Sequence, residues 1–146
     1  MPFKSLGLFD PLYFMYAEDD DFCRRLHAAG LQVALVLKAV AWHAHQHVQY
    51  TQEDLKAARW KNSSELVFEL KDPAHLFIRN IFKAVKVITF RFVNHAVHLY
   101  VARCLYFFIA DLCILSMLPN IYRSRSKELC VVRSFRSAQL LKSETE

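Results

Sequence analysis

Four carboxylates in a row, Glu18-Asp19-Asp20-Asp21, follow an aromatic segment, Tyr13-Phe14-Met15-Tyr16, and precede a cationic stretch. Adjacent acids repel and raise one another's pKa, so a fold holds them only where a helix N-terminus, a metal or a substrate offsets the repulsion. Acids in a first helical turn also interact favourably with the macrodipole, so a plain helix start and a functional site both remain open. The following residues predict a helix. Phe22, Leu26 and Ala29 fall at helical spacing, Arg24, Arg25 and His27 take the other face, and Gly30 suits a C-cap. Beyond it, the apolar run Leu31 to Leu37 predicts a short strand, and Val40-Ala41-Trp42 predicts a second one that leads into His43, His45 and His47.

On a strand, three histidines at period two would project from one face, about 6.6 Å apart per step. A histidine pair on one strand could hold zinc, but no third or fourth ligand stands at a recognisable spacing, so His45 and His47 read as solvated loop residues.

The elements G-x-F-D (7–10), Y-F-M-Y-A-E-D-x-D-F-C-x-R-L-x-x-A-G (13–30) and A-V-A-W-H (39–43) together resemble the C-terminal part of family 2 glycosyltransferases, in particular the bacterial rhamnosyltransferase-like branch. The resemblance covers residues 7 to 47, with a weaker continuation at Trp60-Lys61-Asn62. It implies that Asp19 is the general base, taking the proton of a sugar hydroxyl as the oxygen attacks the anomeric carbon in a single inverting displacement. It gives Glu18 and Asp21 supporting roles, in orienting the acceptor, capping the helix or holding local hydrogen bonds, and leaves Asp20 a bystander. It also places His43 in a site for a divalent cation, Mn or Mg, which would neutralise the nucleotide diphosphate leaving group. The implied partners are a nucleotide-diphosphate sugar donor and a glycan or lipid-linked acceptor, and the implied process is glycan or cell-surface polysaccharide synthesis. Two positions depart from the family pattern: Pro11 stands where an acid usually follows F-D, and Ala17 where glycine is common before E-D.

The fold expected from the resemblance is an α/β fragment: the C-terminal part of a GT-A, Rossmann-like domain with a few short strands, followed by a mostly α-helical, membrane-associating region. Only six residues precede Gly7, so the nucleotide-binding half and its D-x-D element are not part of this sequence, and the chain is expected to be incomplete and inactive alone. Charge divides it in the same place. Residues 1–54 carry four Lys or Arg against seven acids, and residues 55–146 carry fifteen against seven. We therefore assign 1–54 to the catalytic segment and 55–146 to a basic helical extension.

Within the extension, Glu53 to Lys71 predicts a helix that stops at Asp72-Pro73. Ala74 to Asn94 predicts a basic amphipathic helix, with Arg79, Asn80, Lys83, Lys86, Arg91 and Asn94 on one arc of about 140° and Phe77, Ile81, Val85 and Ile88 in the apolar remainder. Leu99 to Leu118 is long enough for about 30 Å of hydrocarbon. Arg103 and Asp111 argue against simple insertion, so the expectation is a helix packed partly in protein and partly at a membrane interface, ended by Pro119. The basic residues after it predict a solvated tail and favour a cytoplasmic location, peripheral at the inner face of an anionic membrane. The chain shows no nucleic-acid reader motif. Its two glycines allow no phosphate-cradling loop, and its four cysteines form no C-x-x-C and read as reduced thiols. The alternative function is a non-catalytic, membrane-associated helical protein that retains the E-D motif as a relic.

Overall fold

The structure is a computed structural model and describes residues 2–42, 52–97 and 101–143. Six helices follow in order: α1 (Pro2–Leu6), α2 (Glu18–Ala28), α3 (Gln52–Lys71), α4 (Phe77–Val97), α5 (Val101–Ser116) and α6 (Leu118–Ser143). Helices α3, α4 and α5 pack on one another, and α6 lies along α3 and also carries α1 and α2.

The expected α/β fragment is overturned: among the described residues there is no strand, and the architecture is an all-helical bundle. The segment 31–42 has strand composition but stays irregular. A strand needs a neighbour for its backbone donors and acceptors, and the described residues offer none. Its apolar side chains lie open, Leu35 at 87% and Trp42 at 98% exposure, and a turn from Val36 O to Ala39 N interrupts the run.

The helix ends follow local chemistry. At the end of α2, Gly30 takes a positive φ of 82°. Its N–H donates to His27 O and that of Leu31 donates to Leu26 O, the paired bonds of a Schellman cap. Leu26 and Leu31 both pack against a small core of Leu6, Ala29 and Val132. Helix α3 stops before Pro73 as expected. The buried Asn80 of α4 then donates through Nδ2 to Leu70 O (3.2 Å) and Asp72 O (2.8 Å), satisfying carbonyls that the end of a helix leaves open. From α6, Arg125 donates to His75 O at 2.7 Å and fastens the α3–α4 turn.

The main core is Leu66, Val67 and Leu70 of α3, Ala84 and Ile88 of α4, Ile114 of α5, Ile121 of α6 and Tyr13 from the loop before α2. Of the apolar residues expected on α4, Phe77, Ile81 and Ile88 face this core, and Val85 does not. Two members of the polar arc of α4, Asn80 and Arg91, face the bundle, while Phe82, Val85 and Val93 point outward. Hydrogen bonds from Asn80 to Leu70 O and from Arg91 to Asn62 O offset the cost of turning these two polar groups inward.

Helix α5 buries Cys104, Phe107, Ala110, Asp111 and Ile114. No single described helix is long and apolar enough to cross a membrane. The chain bends by 55° between α5 and α6, so the break comes at Met117, and Pro119 sits in the first turn of α6, where its missing N–H is harmless. The basic tail expected to be solvated forms the 26-residue helix α6, which buries Ile121 and Val132 on one side and leaves Arg123, Lys127, Arg133 and Arg136 exposed. Among the described residues the four cysteines are free.

The buried Asp111 faces Arg91 Nη1 across 3.7 Å. Burial raises its pKa above the ordinary value of 3.8, and Arg91 only partly offsets this. A carboxyl that holds its proton more tightly when folded contributes stability that is full below the ordinary pKa and is lost as pH rises through the raised one. Asp111→Asn is therefore expected to stabilise the chain near neutral pH, with the gain vanishing in acid. Urea titrations of both proteins across the acid range check this, and a variant less stable at neutral pH would contradict it.

Candidate functional site

The acid run forms the first turn of α2, as its composition predicts. Its entry is strained: Tyr16 and Ala17 both adopt left-handed backbone, with φ of 69° and 61°. A Cβ in that region costs about 1–2 kcal/mol, which accounts physically for a preference for glycine at position 17. Two contacts hold the turn from α3. Ser64 Oγ donates to Met15 O at 2.6 Å, and Phe14 packs on Trp60 with ring centroids 4.9 Å apart. Ala17→Gly is expected to raise stability by roughly 0.5–1 kcal/mol, the relieved strain less the added entropy of the unfolded chain. A shift in the urea midpoint reads it, and no gain would argue against the left-handed turn.

The four acids have different surroundings. Asp21 is fully buried. Its Oδ1 accepts from Arg24 Nη2 (2.7 Å) and Tyr13 OH (3.1 Å), and its Oδ2 accepts from Arg25 Nε (3.1 Å). Lys71 Nζ lies 3.3 Å from Oδ1. Asp19 and Asp20 are exposed, and Glu18 is half-buried, with its Oε2 shielded from solvent and lacking a hydrogen-bond partner.

Behind Asp21 lies a charge cluster that no local pattern announced. Lys71, at the end of α3 and 1% exposed, donates to Asp10 Oδ2 (2.6 Å) and to Glu128 Oε1 of α6 (2.5 Å). Ser124 Oγ also donates to Asp10 Oδ2, and Arg25 Nε lies 3.7 Å from Glu128 Oε1. Arg25 further donates to Leu6 O (2.8 Å) and Leu8 O (2.9 Å), fixing the turn around Gly7. Three cations, Arg24, Arg25 and Lys71, thus face three carboxylates, Asp10, Asp21 and Glu128, where any one left unpaired would be costly.

The pKa shifts follow that packing. For Asp10, burial opposes ionisation, but hydrogen bonds from Lys71 and Ser124 outweigh it and hold the carboxyl below its ordinary value. For Glu128, burial prevails over the attraction of Lys71 and raises it. Burial, reinforced by the Asp21 charge, also raises the Tyr13 phenol.

Beside the first turn of α2 opens a cleft of about 290 Å³, lined in part by Ala17, Asp20, Glu65, Glu69, Lys83 and Arg91. Asp20, assigned no role by the sequence motif, borders this cleft, whereas Asp19 is not among its lining residues. Of the predicted site residues, Glu18, Asp19 and Asp21 stand together on α2, and His43 lies outside the described residues, as do His45 and His47. Among the described residues no group of three His, Cys, Asp or Glu side chains could hold a metal ion, and Asp21 is already engaged by cations. The expected divalent-cation site rests on His43 and so lies outside the described residues.

Sequence reading missed Asp10, Lys71 and Glu128. The Asp21–Arg25 pair was accessible from its i,i+4 spacing. The Lys71 contacts, which span 61 residues to Asp10 and 57 to Glu128, had no such signal. No family model matches the chain, and no curated protein or solved structure matches it either.

Proposed function

We propose that the chain carries the acceptor-activating part of an inverting, nucleotide-sugar-dependent glycosyltransferase, with Asp19 as the general base. The observation that supports this most directly is the division of labour in the acid run. Asp21 is committed to the buried cluster and anchors the first turn of α2, which leaves Asp19, two residues before it in the same turn, exposed to solvent. A base must meet the hydroxyl it deprotonates within about 3 Å and be held there, and a carboxylate on a pinned helical turn meets the second condition. Glu18 and Asp20 flank it, and the neighbouring cleft offers carboxylates of α3 and cations of α4 to a polyhydroxylated acceptor.

The runner-up is a non-catalytic helical protein, favoured by the same cluster because the D-x-x-x-R part of the motif has a sufficient structural use in it. Donor binding separates the two. Thermal unfolding is followed with uridine, guanosine and thymidine diphosphates, each with and without Mn²⁺. A Mn²⁺-dependent rise in melting temperature with one of them, together with transferase activity that appears when a nucleotide-binding half is supplied as a second chain and is lost in Asp19→Asn, supports the catalytic reading. No rise with any nucleotide, and no effect of Asp19→Asn, leaves the non-catalytic one.

A further inference from the structure

The bundle leaves a broad apolar surface uncovered on α4 and α5. Projected at 100° per residue, the outward side of α4 places Ile78, Phe82 and Val93 within an arc of about 60°, with Lys86 and Arg79 immediately beside it. All five are exposed, Phe82 at 64%. The outward side of α5 carries Leu105 and Ile109, also exposed. The two stripes meet along the seam where Phe92 of α4 packs on Phe108 of α5, ring centroids 5.0 Å apart. Isolated exposed apolar residues need no explanation, but a surface running across two packed helices does.

The charge on this surface selects its occupant. Helix α4 has no acid anywhere in its sequence. Helix α5 has one, Asp111, which is buried and turned toward Arg91. Among the described residues of α4 and α5, the outward side thus combines apolar side chains with cations and shows no carboxylate. A second copy docked by two-fold symmetry would set the same cationic patch against itself. An anionic bilayer complements both features: the apolar side chains enter the boundary between headgroups and acyl chains, and Lys86 and Arg79 extend toward the phosphates.

We propose that the outward side of α4 and α5 is a docking surface for anionic lipid membranes, on which the bundle lies without spanning. This goes beyond the glycosyltransferase reading and stands without it.

Flotation of the full chain with vesicles tests it, using phosphatidylcholine alone or mixed with phosphatidylglycerol. Binding is expected to the mixed vesicles at low salt and to weaken as salt rises. Arg79→Gln with Lys86→Gln should lower the affinity about 30-fold, at roughly 1 kcal/mol for each cation near a charged surface. Phe82→Ser with Ile109→Ser should abolish binding while circular dichroism shows unchanged helix content. A control, Arg133→Gln with Arg136→Gln on the exposed end of α6, should change it little. Absence of binding, equal binding to phosphatidylcholine alone, or an equal loss in the α6 control would each overturn the proposal. So would self-association of the chain that Phe82→Ser removes in the absence of vesicle binding.

Discussion

Lys71→Met is expected to destabilise the chain by about 3–5 kcal/mol, because it removes the cation on which Asp10, Asp21 and Glu128 converge and leaves the carboxylates facing one another away from water. For a domain of this size that corresponds to a fall in melting temperature of about 10 °C. The loss should depend on pH in a definite direction. Without the ammonium, the folded-state pKa values of Asp10 and Glu128 rise. Stability linked to a raised carboxyl pKa is complete below the ordinary value and is lost as pH increases through the raised one. The gap between wild type and variant should therefore widen as pH rises above the ordinary carboxyl range of about 4. Thermal melts at several pH values measure it. A cost under about 1 kcal/mol, as for an exposed pair, would mean that Lys71 does not occupy the centre of the cluster.

Asp19→Asn and Asp21→Asn, two positions apart, should give opposite signatures. Asp21→Asn leaves Arg24, Arg25 and Lys71 short of a buried negative charge, and the expected loss is about 3 kcal/mol of folding stability. Asp19 is exposed, so its replacement should change stability by no more than about 0.5 kcal/mol. If Asp19 is the base, its amide analogue should lower by about 10²–10⁴-fold, the usual contribution of a positioned general base, the transfer activity measured when a nucleotide-binding half is supplied as a second chain. Paired denaturation and activity measurements on the two variants read both axes. An Asp19→Asn protein that unfolds as readily as Asp21→Asn would remove the separation of roles, and full activity in Asp19→Asn would remove its catalytic assignment.

Much of the helical content was legible because it rests on local chemistry. The acids opening α2, Gly30 closing it and Asp72-Pro73 closing α3 each act within a few residues, and the structure shows those boundaries. The strands expected at 31–37 and 40–42 failed for the converse reason. β-branched composition states a preference, and only a partner strand can satisfy it. The inward placement of Asn80 and Arg91 was likewise out of reach, since it rests on hydrogen bonds to α3, while Phe77, Ile81 and Ile88 face the core as the apolar spacing predicts.

Sequence alone determined that four acids begin a helix, that Arg25 stands one turn from Asp21, and that cations dominate the later part of the chain, because spacing and charge are properties of the chain itself. Only the tertiary structure decided which acid is buried. Asp21 differs from Asp19 and Asp20 by its place on the turn, and that place acquires meaning when Lys71 of α3 and Glu128 of α6 arrive from far along the chain. Burial and long-range pairing are set by packing. They assign Asp21 to the scaffold and leave Asp19 exposed to solvent.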